Sequence, residues 1–267
     1  MKAKTLQTLQ YNKILDMLVQ QASSSMAKEE LKCLRPMTSV AEIKDALAET
    51  TQAQTVILKK GSAPLGQIYD ISAAMTFARK GGVLTMGQLL QILYNLKIAA
   101  NVTTFLKCDL PPLPAIDAIR EVIVTCPRLA ENIDRCIISE DEMADNASPA
   151  LKDIRRSITR QNDAIRNRLN SIINSSDNRT YLQDAIVTVR DGRYVIPVKA
   201  EHRGRFQGII HDQSATGATL FIEPQVIVNM NNELREMELK EKAEVERILA
   251  ELSSAAAEHF HDITNNQ

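Results

Sequence analysis

The sequence predicts a mainly α protein: a helical bundle core from which two long antiparallel helices extend, carrying a small antiparallel β-structure at their tip. Three observations predict it. Residues 1–147 place apolar side chains at helical spacing, punctuated by proline and glycine. Residues 148–178 and 229–267 each sustain an apolar repeat at spacings of three, four and seven. Only residues 179–228, between those two stretches, are rich in β-branched residues with hairpin turns. With 267 residues, 44% of them hydrophobic, the chain can bury one large or two small cores and has no signature of disorder.

In the bundle, Leu6, Leu9, Ile14, Leu15 and Leu18 keep helical spacing, and residues 23–34 continue it until Arg35 and Pro36 break it. Ser39, with Glu42 three residues on, predicts a capping box opening a helix that reaches about Lys60 and Gly61. The next helix is expected over 71–79, stopped by Gly81 and Gly82. Thr85 should cap the most apolar helix of the region, in which Leu89, Leu90, Ile92, Leu93, Leu96 and Ile98 lie nearly all round, which places it at the centre of the bundle. Pro111, Pro112 and Pro114 mark a loop before short helices at 116–124 and 127–135, and the acidic stretch 139–146 is expected to be a surface turn. Cys33, Cys108, Cys126 and Cys136 are widely spaced with no CxxC pair, the pattern of small buried thiols in a reducing compartment.

Ser148 followed by Pro149 predicts an N-cap with proline at the first helical position. Leu151, Ile154, Ile158, Ile165, Leu169 and Ile172 then form one seam, and Leu234, Val245, Ile248, Leu252 and Ala255 form a second. Each arm is expected to run about 30 residues, roughly 45 Å at 1.5 Å per residue. Both seams have polar gaps, Gln161 and Asn162 on the first and Glu238 and Glu241 on the second, which are expected to loosen the pairing locally. Between the arms, residues 185–190 and 193–198 flank Asp191-Gly192, a two-residue type I′ hairpin signal. A second hairpin is expected from 205–211 and 218–223, with a loop at 214–217 and Pro224 stopping the strand.

The net charge of −1 hides a strong asymmetry along the chain. Residues 1–147 balance 16 basic against 16 acidic side chains, 148–211 carry 12 against 6, and 212–267 carry 4 against 11. Basic and acidic arms facing one another account for the helical share of this. The tip is different. Arg190 and Arg193 flank the two-residue turn and so face each other across the hairpin, an opposition that an anion would relieve. Lys199, His202, Arg203 and Arg205 lie nearby, as does Arg179. Such a cluster points to sequence-independent, salt-sensitive contact with nucleic-acid phosphates, with Arg190, Arg193, Lys199, His202, Arg203 and Arg205 as the candidate residues. The scarcity of aromatics favours tracking of the backbone over stacking on single strands. The competing expectation is a coiled-coil structural or partner-recruiting module whose tip charges only keep it soluble.

No catalytic constellation is visible: Walker A, GxGxxG, HExxH and GxSxG motifs are all absent. His211, Asp212 and Ser214 are too close along one strand to relay a proton to one another. His259 and His261, two apart on a helix, do not share a face for a metal. Glu140, Asp141, Glu142 and Asp145 lack the spacing of a calcium loop, and Gly204, Gly208 and Gly217 read as turn and bulge positions. No cofactor is expected within these residues. No apolar run approaches a membrane span and no signal-peptide pattern opens the chain, so a cytoplasmic location is expected.

The stretch RYVIPVKAEHRGRFQGIIHDQSATGATLFIEP, the opening KTLQTLQYNKIL and the arm start ASPALKDIRRSI together resemble the MutS superfamily, and within it the second bacterial MutS paralogue, an endonuclease that does not act in mismatch repair. The resemblance spans essentially the whole chain. Thr216, where serine is the commoner residue of that pattern, is a conservative departure. It implies that the bundle corresponds to the family's core domain, the arms to its lever helices and the β-tip to the clamp that closes on nucleic acid. It further implies an N-terminal fragment that begins at the core, without mismatch-reading or connector domains. An ATPase domain using ATP and magnesium and a C-terminal Smr nuclease domain would follow the lever, and the full-length protein would be a homodimer. The partners implied are branched or duplex DNA, or rRNA of the ribosome, in suppression of homologous recombination and in splitting collided ribosomes.

Overall fold

The computed structural model describes residues 3–22, 24–107 and 112–266. Ser23, Cys108 and Pro111, assigned above to a helix, a thiol set and a loop, lie outside them. The chain divides into two compact units, Met1–Ala144 with Ile248–Gln267, and Asp145–Arg247.

The first unit contains α1 (Ala3–Thr8), α2 (Tyr11–Gln21), α3 (Ser25–Cys33), α4 (Val40–Lys60), α5 (Ser72–Arg79), α6 (Met86–Leu106), α7 (Pro114–Val122) and α8 (Pro127–Cys136). The continuous spacing from Leu6 to Leu18 is split between α1 and α2 because Gln10 adopts a left-handed conformation, φ 51°. Ser39 does precede α4, but its hydroxyl makes no capping bond; the first turn is held instead by Ile43 N–H donating to the Ser39 carbonyl at 3.0 Å. Thr85 is the complete case. Its Oγ1 accepts from Gln88 N–H at 3.2 Å, and Gln88 Oε1 accepts from Thr85 N–H at 3.0 Å. Behind that cap, Leu89, Ile92, Leu93 and Leu96 are all but inaccessible, as are Ile71, Met75, Leu84 and Ile133, and α6 packs against α7 and α8. The acidic turn is tighter than its composition suggests: Ile137 pairs with Met143, whose side chain is buried, while Glu140, Asp141 and Glu142 stay exposed. Cys126 and Cys136 are buried cysteines outside any disulfide, as expected, whereas Cys33 is exposed, because α3 turns no buried face to the core. No described helix is long and apolar enough to cross a membrane.

The second unit begins with the outgoing helix, α9 (Pro149–Ile173), followed by the short α10 (Ser176–Arg179). Ser148 caps α9 as expected, its Oγ accepting from Leu151 N–H at 3.0 Å with Pro149 at the first helical position. The returning helix, α11 (Val228–Glu258), starts in this unit, and its last turns, with α12 (Phe260–Asn265), belong to the first unit. The arms are thus unequal, 25 and 31 residues, and 229–267 is not one helix: the ladder restarts at His259, which sits at the N-cap of α12.

Within the second unit the two helices run antiparallel. Ser148 Oγ donates to Glu244 at 2.6 Å, Arg155 Nε to Glu241 at 2.7 Å and Gln161 Nε2 to Glu233 at 2.9 Å, so residue numbers rise along α9 as they fall along α11. These bonds also correct the expectation of open polar gaps. Gln161 additionally donates to the Met230 carbonyl at 3.0 Å, Asn162 Oδ1 accepts from the Tyr194 hydroxyl at 2.7 Å, and Glu241 holds Arg155. Gln161, Asn162 and Glu241 thus bridge elements, whereas Glu238 pairs with Arg235 along its own helix at 3.0 Å.

At the end of this pair lies a four-stranded antiparallel sheet, β1 (Thr188–Arg190), β2 (Arg193–Lys199), β3 (Gly208–Gln213) and β4 (Thr219–Pro224), in the order β1-β2-β4-β3. The first turn is the predicted one: Asp191 and Gly192 both have positive φ, 49° and 72°, and Arg190 pairs with Arg193. β1 is shorter than predicted, and Arg205 is not in a strand, because Ala200–Arg205 forms a 3₁₀ turn. A bulge between Ile210 and Asp212 re-aims β3. Gly208 is required by close approach, since a Cβ there would lie 2.0 Å from the Glu223 carbonyl oxygen. The sheet is anchored by one apolar cluster that joins Ile165, Leu169 and Ile173 of α9 to Leu182, Ile196, Val198, Leu220 and Ile222, and to Ile227 and Leu234. Burial of this kind stabilises by about 1.5–3 kcal/mol per large side chain, so the tip is a folded body rather than a flexible loop.

Candidate nucleic-acid interface

The predicted phosphate-contact residues separate into two groups. Arg190 and Arg193 face each other as expected, but each has a carboxylate partner inside the chain. Arg190 Nε donates to Asp212 at 3.0 Å, and its guanidinium lies 4.2 Å from the centre of the Phe221 ring. Arg193 NH1 donates to Glu223 Oε1 at 3.1 Å. Glu223 is 0% exposed, and three donors converge on it: Arg193, His211 Nε2 at 2.6 Å from Oε2, and Asn231 Nδ2 at 2.8 Å from Oε1. The opposition of the two arginines is therefore answered from β3 and β4, and by itself calls for no external anion.

This buried carboxylate was missed in the sequence. Its partners come from β2, β3 and α11, and nothing local marks Glu223 as different from a surface glutamate beside Pro224. A full set of hydrogen bonds is what makes its burial tolerable. The triad-like run likewise disperses: His211 goes to Glu223, Asp212 to Arg190, and Ser214 Oγ accepts from Thr219 N–H at 3.0 Å.

The second group surrounds the 3₁₀ turn. Arg203 and Arg205 are exposed, and neither has a carboxylate partner among the described residues. Arg205 stacks on Tyr181, its guanidinium 5.4 Å from the ring centre, and His202 meets the same ring edge-on at 5.0 Å. His202 also lies 3.4 Å from Glu201. Lys199 Nζ donates to the Thr180 carbonyl at 3.1 Å, and Arg179 is exposed. The turn is fixed at both ends by the sheet: Lys199 pairs with Thr219, and Gln225 N–H donates to the Gln207 carbonyl at 2.9 Å. A rigid mount with outward guanidinium groups has the chemistry of a phosphate-contact surface. Tyr181, which orders Arg205 and His202, is a member of this surface that the sequence pattern did not reveal.

No group of metal-ligating side chains forms at the tip among the described residues. In the first unit Cys126, His259 and Asp262 bring their donor atoms within 4.8 Å of one another. Burial, and after it the charge of Asp262, pushes the Cys126 thiol up.

Comparison with known proteins now bears on this arrangement. The endonuclease MutS2 of Alkaliphilus oremlandii is 46% identical over 269 residues, covering 100% of this chain and 34% of that protein. The endonuclease MutS2 of Alkaliphilus metalliredigens is 43% identical and that of Clostridioides difficile 44%, each again over 100% of this chain and 34% of the relative. Over its whole length the chain is thus similar to one part of these MutS2 proteins. It spans about a third of the length of the curated MutS2 relatives it matches. No family model matches the chain.

Proposed function

We propose that this MutS2 region binds nucleic acid through the outer surface of its clamp, by contacts to the phosphate backbone. The observation that carries the reading is the pair Arg203 and Arg205, exposed, unmatched by acid among the described residues, and held on a 3₁₀ turn that the sheet fixes at both ends. Lys199, His202 and Arg179 extend the same surface, and Arg190 and Arg193 contribute charge from their internal ion pairs. Two or more phosphate contacts of this kind give binding that ignores sequence and fades with salt. The natural ligands are branched or duplex DNA, or rRNA, and the cell compartment is the cytoplasm. In the longer protein the region is the ligand-gripping part of a homodimeric endonuclease whose ATP and magnesium chemistry lies in an ATPase domain outside these residues. Its setting is the suppression of recombination or the splitting of collided ribosomes.

The test is binding of this chain to a four-way DNA junction, linear duplex and structured RNA over a salt series. Substitution Arg203→Ala/Arg205→Ala is expected to weaken binding to each and to reduce the salt slope by about 2, roughly one for each contact. Unchanged affinity and slope in the double variant would overturn the reading.

A second reading, a partner-recruiting coiled-coil module, has one observation in its favour: Leu239 on α11 is a large apolar side chain more than half exposed. Association that persists at high salt and is lost in Leu239→Asp would favour it.

A further inference from the structure

We propose that Cys126, His259 and Asp262 form a binding site for one divalent transition-metal ion, with zinc the natural occupant. The three donors come from two segments far apart in the chain, Cys126 from one and His259 with Asp262 from the other, and meet within 4.8 Å. Cys126 is the N-cap of α8 and is only 6% exposed; His259 is the N-cap of α12, and Asp262 lies in that helix's first turn. His259 Nδ1 and Asp262 Oδ2 are 3.3 Å apart. That is the edge of a tetrahedron drawn around an ion with bonds of about 2.0 Å, so these two groups need little movement to share one.

The donor set selects the ion. A thiolate and a carboxylate together neutralise a dication, and neutral imidazole completes the set. Sulfur and imidazole exclude calcium and magnesium, which take oxygen. Three protein ligands leave a fourth position, which a water molecule fills. The half-exposed His259 and Asp262 give that position access to solvent, while the buried sulfur closes the site from within.

The framework does not depend on the ion. Asn266, one turn beyond Asp262, brackets Val124: its Oδ1 accepts from the Val124 N–H at 3.0 Å, and its Nδ2 donates to the Val124 carbonyl at 2.7 Å. This fixes the end of α12 to the segment that leads into Cys126, so the ligands are already assembled. His261 takes no part. Its exposed ring lies edge-on to Phe260 at 5.2 Å, in keeping with the expectation that His259 and His261 do not share a face. The third ligand lies at the N-cap of α8, where the sequence shows only an isolated cysteine. An ion here ties α12 to α8 and stabilises the first unit by mass action.

Titration of the chain with Zn²⁺ by calorimetry and with Co²⁺ by absorption spectroscopy tests this. One equivalent is expected to bind, with a thiolate-to-cobalt charge-transfer band and a tetrahedral ligand-field spectrum. Cys126→Ser should abolish the charge-transfer band, and His259→Ala and Asp262→Asn should each weaken binding at least about tenfold, the scale of losses seen even for residues that only support a ligand. His261→Ala should leave binding unchanged. Zn²⁺ should raise the melting temperature of the wild type and protect Cys126, but not Cys33, from alkylation, a readout that needs no variant to fold. The proposal is overturned by absence of stoichiometric binding, by a charge-transfer band that survives Cys126→Ser, or by equal alkylation of Cys126 with and without Zn²⁺.

Discussion

Arg193 and Arg203 carry the same charge in the same compact unit, but their surroundings differ. Arg193 meets Glu223, which is fully buried and also held by His211 and Asn231; Arg203 stands on a 3₁₀ turn with no carboxylate beside it among the described residues. The first arrangement holds β2, β3, β4 and α11 in register. The second leaves a cation displayed on a rigid mount. The basic character of the sheet and its 3₁₀ turn therefore has two sources, and composition alone merges them. Perturbing one should move stability, and perturbing the other should move binding.

The largest effect is expected at Glu223. Glu223→Ala removes the buried acceptor of three donors and leaves the partly exposed Arg193 without its partner, which should cost about 3 kcal/mol, the lower end of the range seen when one member of a buried pair is deleted. Urea denaturation of the chain measures it. A loss under about 1 kcal/mol would show that water reaches the cluster and that Arg193 is as available to a ligand as Arg203.

The next effect is pH-dependent and lies on the α9–α11 pair. Glu244 is drawn down from its ordinary 4.5 to about 2, first by the hydrogen bond from Arg247 and then by that from Ser148. Its side chain is 12% exposed, but Arg247 is 49% exposed, so solvent weakens the pair. A carboxyl whose folded value is depressed gives stability that is complete above its unfolded value and is lost as pH falls. The window here runs from about pH 4.5 towards 2. Glu244→Gln should cost about 1 kcal/mol at neutral pH and flatten the decline through that window, as followed by melting temperature against pH. A decline as steep as that of the wild type would assign acid lability to other carboxylates.

How much of this was readable in the sequence follows the reach of each interaction. Asp191-Gly192, Ser148-Pro149 and the Thr85 cap are decided within a few residues by φ preferences and capping bonds, and the structure bears out each of them; the Gln88 half of the box at Thr85 is an addition. The helical seams are equally local, which is why the arms, and the sheet between them, were legible. Their polar interruptions were not, because Gln161 and Asn162 acquire partners on α11 and β2. Glu223 is the clearest case. Alternation along β4 marks which residues share a face, but only the meeting of three elements turns a glutamate inward. The Cys126, His259 and Asp262 group was hidden in the same way, by separation along the chain.

A smaller change is expected at Arg190. Its ion pair with Asp212 is partly exposed, 38% and 47%, and such pairs contribute about 0.5 kcal/mol or less. Stacking on Phe221 adds a similar amount, so Arg190→Ala should cost about 1 kcal/mol by urea denaturation. Arg190→Lys keeps the charge but loses the flat face over Phe221, and should recover only part of that. Full recovery would mean that charge alone matters at the hairpin end and that Arg190 belongs with the binding group.

The smallest effect on stability, and the one that separates the two sources most sharply, belongs to Arg203→Ala/Arg205→Ala. Among the described residues exposed Arg203 has no ion pair to lose and Arg205 is stacked on Tyr181, so urea midpoints should stay within about 0.5 kcal/mol of the wild type. Binding should respond in the opposite sense, with the salt slope falling by about 2. For Arg190→Ala/Arg193→Ala the weighting reverses: stability falls first, and under conditions where that variant remains folded the slope changes less. The reason is that a guanidinium already bonded to a carboxylate must give up that bond before it can neutralise a phosphate. If both double variants lower the slope equally while both stay folded, the ion pairs with Asp212 and Glu223 open on binding, and the clamp grips by exchanging internal anions for phosphates rather than by presenting cations that are already unpaired.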